Sequence, residues 1–438
     1  MAEETLFPVG AVEAKPARKV EAGVPRLELP VRDQIEMRSS DLESLIADDH
    51  QVRTVWDYVE QADLSALYAQ IRSVEGRAGR AAIDPKILFA LWLYATLEGI
   101  GSARALAKLC ADHIVYQWIC GGVSVNYHTV ADFRSQNGEL LDRLFTESVA
   151  RLRSFGLVTL NRVAHDGMRV RANAGSSSFR RQKRLEQFRA EAAEQVQALR
   201  KELEEDPGAS DLRRKAARQR AAKERQEKLA EALRQYPEVR EKKKKDKDKT
   251  RVSTTDPDAR RMHMADGGTR PAFNVQLSTD TASQVIVGVE VIKSGSDGGQ
   301  MVPAVQQLET RYQTTPNEFL TDGGFVKKED IEQLASAPHA CQVYAPVPLP
   351  KVQGKAKAEP YSSESPAVSA WHRRMKTAEA KQIYKERAAT AECVNALARN
   401  RGMQQFPVRG LKKVRAVVLL FALAHNLLCM VRLLGTIV

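Results

Sequence analysis

The sequence has no CxxC pair, no basic stretch leading into an apolar segment at its start, and no uninterrupted apolar run long enough to span a bilayer. Its five cysteines (Cys110, Cys120, Cys341, Cys393 and Cys429) are scattered. That argues against a zinc site and for reduced thiols in a cytosolic protein. Met1-Ala2-Glu3-Glu4 is acidic, so no secretory signal is expected. The apolar stretch from Val417 to Met430 contains His425 and Asn426 and lies between Arg415 and Arg432. It is short for a membrane span and reads as a buried core helix, so no membrane partner is expected.

What is present is length and positive charge. The 438 residues suffice for two or more domains and a sizeable core, and the formal charge of +12 with a pI near 9.4 favours a polyanion such as nucleic acid. Residues 1–35 mix proline, alanine and charge without a period and read as a mobile leader. From 36 to 156 the period is helical. Asp84-Pro85 combines an N-cap with a proline at the first helical position, and Ile87 to Leu97 is apolar almost all round, as in a buried helix. A helix from Ser102 through Cys110 follows, then one carrying Ile114, Trp118 and Ile119 up to Gly121-Gly122, then one that Thr129 can cap, and a last from Leu140 to Leu152. Short helices at tight turns resemble a helix-turn-helix reader of DNA, with a plain helical bundle as the alternative.

At Leu157 the period changes. Leu157-Val158-Thr159-Leu160 and Val163-Ala164 are strand-like and end at His165-Asp166-Gly167, after which Arg169 and Arg171 alternate on one face of an extended segment. Residues 176–250 are an insertion: a helical hairpin broken at Asp206-Pro207-Gly208, then the basic run Lys242, Lys243, Lys244, Lys245 up to Lys249, suited to phosphate contact. Strands over 272–278 and 285–291 form an antiparallel hairpin, a helix covers Gln300 to Tyr312, and Glu318-Phe319-Leu320-Thr321 is a strand that delivers Asp322. A further strand lies at 341–346, and a loop at 347–370 precedes a helix from Ala378 to Arg399 that carries Tyr384, Arg387 and Glu392. The chain closes on an apolar helix from Val414 to Leu434. The expected class is α/β: a mixed sheet flanked by helices over 157–438, interrupted by the inserted hairpin, behind a helical N-terminal domain.

Asp322-Gly323-Gly324 alone is an ordinary turn leaving a strand. With Asp166 at an earlier strand end and Glu392 on a later helix, it becomes one of three hard oxygen ligands suited to Mg²⁺, or Mn²⁺ in its place. Two such ions activate water or a 3′-hydroxyl and stabilise the leaving oxygen at a phosphodiester. Asp256, Asp258, Asp266, Asp280 and Asp297 sit mostly in turn contexts and stay outside this set.

Asp166-Gly167, Thr321-Asp322-Gly323-Gly324-Phe325, and Tyr384-Lys385-Glu386-Arg387 followed by Glu392 resemble, in that order, the DDE signature of bacterial insertion-sequence transposases. The resemblance runs from near residue 38 to near 430 and takes in the inserted helices and Thr255-Asp256-Pro257-Asp258-Ala259. It implies a ribonuclease H-like core and Mg²⁺-dependent cleavage and strand transfer by Asp166, Asp322 and Glu392. The implied partners are double-stranded DNA at element ends, target DNA, and further copies of the chain in a homo-oligomer, at the nucleoid of a bacterial cytoplasm. In that family tyrosine, arginine and glutamate stand three and then four positions apart. Here the step from Arg387 to Glu392 is one longer and Ala391 takes the family spacing. Glu392 is preferred to Glu386, which lies nearer the apolar side of the helix. By resemblance Arg387 contacts DNA phosphate or orients the acid; alternatively its stem covers the apolar edge. The rival readings are a non-catalytic DNA-binding protein or inactive transposase relic, and a nuclease that cuts without joining.

Overall fold

In the computed structural model, which describes residues 40–73, 76, 81–205, 212–243, 245–336, 340–348 and 364–435, one long strand, β1 (Arg162–Arg171), is the spine of the molecule. The expected leader at 1–35, the break at Asp206-Pro207-Gly208 and Lys244 lie outside the described residues. Two short strands, β2 (Phe179–Arg180) and β3 (Val252–Ser253), pair antiparallel at the root of the insertion. β4 (Arg260–His263), β5 (Thr269–Asp280), β6 (Ile286–Ile292), β7 (Glu318–Leu320) and β8 (Gln342–Tyr344) complete a six-stranded mixed sheet around β1. Its order is β4-β5-β1-β7-β8, with β6 also paired to β5. β5 runs antiparallel to β1 and β6, whereas β7 is parallel to both β1 and β8.

β1 does not stop at Asp166; it continues through Gly167 to Arg171, because β5 pairs with it over the whole stretch from Val163 to Arg171. The segment before it is no strand, since Leu160 adopts φ 56° and its N–H is taken by the Asp280 carboxylate.

Among the described residues, seven α-helices precede the sheet: α1 (Gln51–Gln61), α2 (Ser65–Tyr68), α3 (Pro85–Leu97), α4 (Ala103–Asp112), α5 (Ile114–Cys120), α6 (Tyr127–Gln136) and α7 (Gly138–Ser154). Asp84 caps α3 through the Lys86 N–H, and Pro85 opens it. Every residue from Ile87 to Ala95 is buried, and each large side chain among them contributes roughly 1.5–3 kcal/mol of burial. The cap of α6 is Asn126, which accepts from the N–H groups of His128 and Thr129, so Thr129 lies inside the helix it was expected to start. The insertion consists of α8 (Gln182–Glu205) and α9 (Leu212–Glu241), packed on each other through Leu185, Ala192, Leu229 and Ala232. Around the sheet follow α10 (Met301–Tyr312), α11 (Lys328–Ser336), α12 (Pro366–Lys376), α13 (Ala378–Arg387), α14 (Cys393–Asn400) and α15 (Leu411–Leu434).

α15 ties these parts together. It has the length and apolarity to cross a membrane, yet most of it is buried against α3, α6, α7 and β6. Its polar residues are spent on the sheet: Asn426 accepts from the Ile286 N–H and donates to the Ile286 carbonyl, both at 2.8 Å, completing the start of β6. His425 Nε2 lies 2.9 Å from the Gln284 carbonyl. Asp256 and Asp258, which sequence context assigns to a turn, take the N–H groups of Gly410 and Leu411 and so cap the helix start. The helical N-terminal part and the sheet therefore share one continuous core.

Candidate active site

The parallel register of β1 and β7 sets the position of the first two acids. Ala164 pairs with Leu320, so Asp166 and Asp322, each two residues further on, reach the same level on the same face of the sheet. That face, marked by Ala164, Leu320 and Tyr344, packs against Ala380, Tyr384 and Ala391 of the helices above. β7 ends at Leu320 while β1 runs on, which leaves Asp322 on a turn beside the continuing strand. This is the carboxyl end of the parallel strands, where open α/β sheets characteristically hold their ligands.

Glu392 arrives by an irregularity. The helix expected from Ala378 to Arg399 is interrupted by a π-helical turn, Ala388–Glu392, between α13 and α14. A five-residue step along a regular α-helix turns the side chain about 140° away. A π turn, built on i→i+5 bonding, instead brings residue i+5 over residue i. Arg387 Nη1 accordingly donates to Glu392 Oε1 at 2.7 Å. The extra residue that separates this chain from the four-residue spacing is absorbed there. Glu386 points elsewhere and accepts from Arg162 at 2.5 Å, while Arg162 also pairs with Glu318.

Arg387 is the charge at the centre. Its guanidinium lies 3.3 Å from Asp166 Oδ2 and 2.7 Å from Glu392 Oε1. Asp166 is 13% exposed and Glu392 56%. Burial pushes the Asp166 carboxyl above its ordinary range; Arg387 and the Gly167 N–H oppose this, and the charges of Asp322 and Asp297 add to it. Burial likewise raises the Tyr384 phenol, with Arg387 opposing and the charges of Asp322, Glu392 and Asp166 adding. The structure thus gathers Asp166, Asp322, Tyr384, Arg387 and Glu392. Among the described residues no three acidic, histidine or cysteine side chains close to the spacing of a metal ligand set. The cation that Asp166 and Glu392 share is the Arg387 guanidinium.

Two neighbours lie outside the expected set. Asn395, one turn after Glu392, donates from Nδ2 to Asp166 Oδ2 at 3.0 Å. Asp297 sits over Gly167 on the opposite face of β1, accepting from Asn274 Nδ2 at 2.6 Å and Gln276 Nε2 at 2.9 Å. A Cβ on Gly167 would stand 2.4 Å from its Oδ1, which explains the glycine beside the first acid. The sequence does carry a hint of Asp297: Asp297-Gly298-Gly299 repeats Asp322-Gly323-Gly324, and a Cβ on Gly298 would lie 3.6 Å from the Gly324 carbonyl. In the second motif Gly324 makes room for the acid itself, since its N–H is 2.8 Å from Asp322 Oδ1. His165 also belongs to the opposite face. It is bonded to Ser278 and Gln276, and burial lowers it to about 4, which leaves it neutral.

The basic residues expected at DNA fall into three groups. Arg387 is buried among the acids. Arg169 donates to the His263 carbonyl at 2.9 Å and lies 3.7 Å from Asp297, and Arg171 pairs with Asp266. Lys242 pairs with Glu238 at 2.6 Å, Lys243 donates to the Lys249 carbonyl at 3.2 Å, and Lys245 is exposed, all at the far end of α9.

Two family models match the chain. Residues 40–136, which contain α1 to α6, match "Transposase domain (DUF772)", and residues 352–431, which contain Tyr384, Arg387, Glu392 and Asn395, match "Transposase DDE domain". The strands bearing Asp166 and Asp322 lie between the two matches. No curated protein and no solved structure matches.

Proposed function

We propose that this chain, whose two matched segments support an insertion-sequence DDE transposase, cuts DNA at the ends of its element and joins them to target DNA through Asp166, Asp322 and Glu392. The observation that carries the reading is that Asp166 and Glu392, far apart in sequence, share the Arg387 guanidinium, while the register of β1 and β7 sets Asp322 level with Asp166 on the same face of the sheet. The sheet supports a ribonuclease H-like core: three antiparallel strands (β6, β5, β1) followed by two parallel ones (β7, β8), with the acids at the carboxyl end of β7 and alongside it.

The donor set suits a hard divalent cation. It offers the carboxylate oxygens of Asp166, Asp322 and Glu392 and a buried amide oxygen on Asn395 without a hydrogen-bond partner. Asp166, Asp322 and Glu392 would hold Mg²⁺, or Mn²⁺ in its place. When bound, it lowers the pKa of an attacking hydroxyl and stabilises the leaving oxygen of the phosphodiester. The chain's own residues do the rest. The Gly167 N–H and Asn395 fix the Asp166 carboxylate, and the Gly324 N–H fixes that of Asp322. Arg387 offsets the mutual repulsion of the acids, and its guanidinium would be a donor fork for a DNA phosphate brought to the site. The formal charge of +12 draws the DNA to the protein. The protein acts in the bacterial cytoplasm on nucleoid DNA, as a homo-oligomer that holds two element ends.

Duplexes carrying the element's own terminal sequence test this. With Mg²⁺ the protein should nick them and join them to a second DNA. With chelator it should still bind without cutting. Equal binding in both conditions with no nicking identifies a DNA-binding relic, and nicking without joined product identifies a hydrolytic nuclease.

A further inference from the structure

Asn395 is 5% exposed and stands at the junction of the first and third acids. It follows Glu392 by three positions on the same side of the helix. Its Nδ2 donates to Asp166 Oδ2 at 3.0 Å, while Asp166 Oδ1 takes the Gly167 N–H at 2.9 Å, so each carboxylate oxygen of Asp166 has its own fixed donor. The other end of the amide, Oδ1, is buried without a hydrogen-bond partner. Leaving such an acceptor unsatisfied costs its desolvation with no bond in return. An orphaned acceptor beside an acid pair leaves a place for a donor from outside the protein. Its Nδ2 anchors the amide on Asp166, and an amide oxygen is a neutral hard acceptor suited to the water shell that Mg²⁺ and Mn²⁺ retain.

We propose that Asn395 is a positioning residue of the acid site, holding the Asp166 carboxylate with one end of its amide and accepting from the water shell of a divalent cation with the other. The assignment rests on the metal-dependent reading given above. It also gives the π turn a second purpose, since the turn that aims Glu392 aims Asn395 one helical turn later. Groups that orient metal ligands in this way typically carry a factor of 10 to 100 in metal affinity.

The test uses the full chain and Mn²⁺. Direct binding is followed by electron paramagnetic resonance without DNA, and the Mn²⁺ concentration for half-maximal cleavage is measured with element-end DNA. Asn395→Leu keeps the volume and removes both polar ends. It should raise half-saturation about tenfold or more in both measurements, with wild-type DNA affinity and a maximal cleavage rate that excess Mn²⁺ recovers. Asn395→Ser carries the same prediction in a smaller side chain. A purely structural asparagine would lower stability or maximal rate without moving half-saturation. A folded Asn395→Leu or Asn395→Ser protein with wild-type Mn²⁺ affinity overturns the inference, as does failure of both variants to fold. Wild-type protein that neither binds Mn²⁺ nor cuts overturns the underlying reading, and the inference with it.

Discussion

At the scale of single residues, the site is crowded with exchanges between a side chain and the glycine that makes room for it. Gly167 is glycine because Asp297 and Gln276 fill the space where its Cβ would go, at 2.4 and 2.6 Å. Gly167→Ala should therefore cost about 1–3 kcal/mol of stability, read as a lower denaturation midpoint, whereas the same change at Gly156, which has open space around it, should cost only the strain of its φ of +71°. Sequence alone identified Asp166-Gly167 and Asp322-Gly323-Gly324 as paired features. It set Asp297 aside, because an aspartate before two glycines is explained as well by a turn as by a contact. Arg387 was open between phosphate contact, orientation of an acid and simple packing, and the structure pairs it with Asp166 and Glu392. Arg387→Met should leave Asp166 without its counter-charge and lower the stability of the metal-free protein by roughly 1–3 kcal/mol, with Mg²⁺ restoring more in the variant than in wild type. Equal melting temperatures of variant and wild type without Mg²⁺ would contradict that pairing.

At the scale of elements, regular periodicity was readable and its breaks were not. The buried helix α3, the β5–β6 hairpin and the short strand before Asp322 follow from apolar spacing and turn chemistry. The π turn does not. A helix reading of 378–399 assumes a single period, and Ala388-Ala389-Thr390-Ala391 contains nothing that announces a widened turn. That turn is what reconciles the five-residue step from Arg387 to Glu392 with a common face. Deleting Ala389 should convert it to α-helix and restore a four-residue step, leaving both faces in place and cleavage within about tenfold of wild type. Inserting one alanine after Ala389 should turn Glu392 away by about 100° and abolish cleavage while DNA binding persists. An insertion variant that cuts normally would remove Glu392 from the site. The end of β1 was misplaced for a related reason: Asp166-Gly167 looks like a strand terminus, but β5 supplies a pairing partner all the way to Arg171.

At the scale of the whole molecule, α15 binds the helical N-terminal part and the acid-bearing sheet into one core, and its histidine makes that core sensitive to acid. Burial lowers both His425 and His165 to about 4 from an ordinary 6.5. Each is neutral in the folded protein and binds a proton more readily when unfolded, so its contribution to stability is present above pH 6.5 and is lost as the pH falls toward 4. The loss is about 3 kcal/mol for each group. Denaturant unfolding between pH 7 and 4.5 should show this decline, and His425→Gln should flatten it by about half. The basic balance of the chain pointed to a polyanion from composition alone, while the way distant elements close on one cation required the three-dimensional register of β1, β7 and the π turn.

The central proposition is that Asp322 belongs to a catalytic acid set and not merely to a turn. It is tested most directly by strand transfer on element-end DNA in Mg²⁺, comparing wild type with Asp322→Asn and measuring DNA binding in parallel. The asparagine keeps the shape and the acceptor for the Gly324 N–H while removing the charge. Joined product from wild type, none from Asp322→Asn, and equal DNA binding by the two is the predicted result. Joined product from Asp322→Asn at the wild-type rate would contradict it.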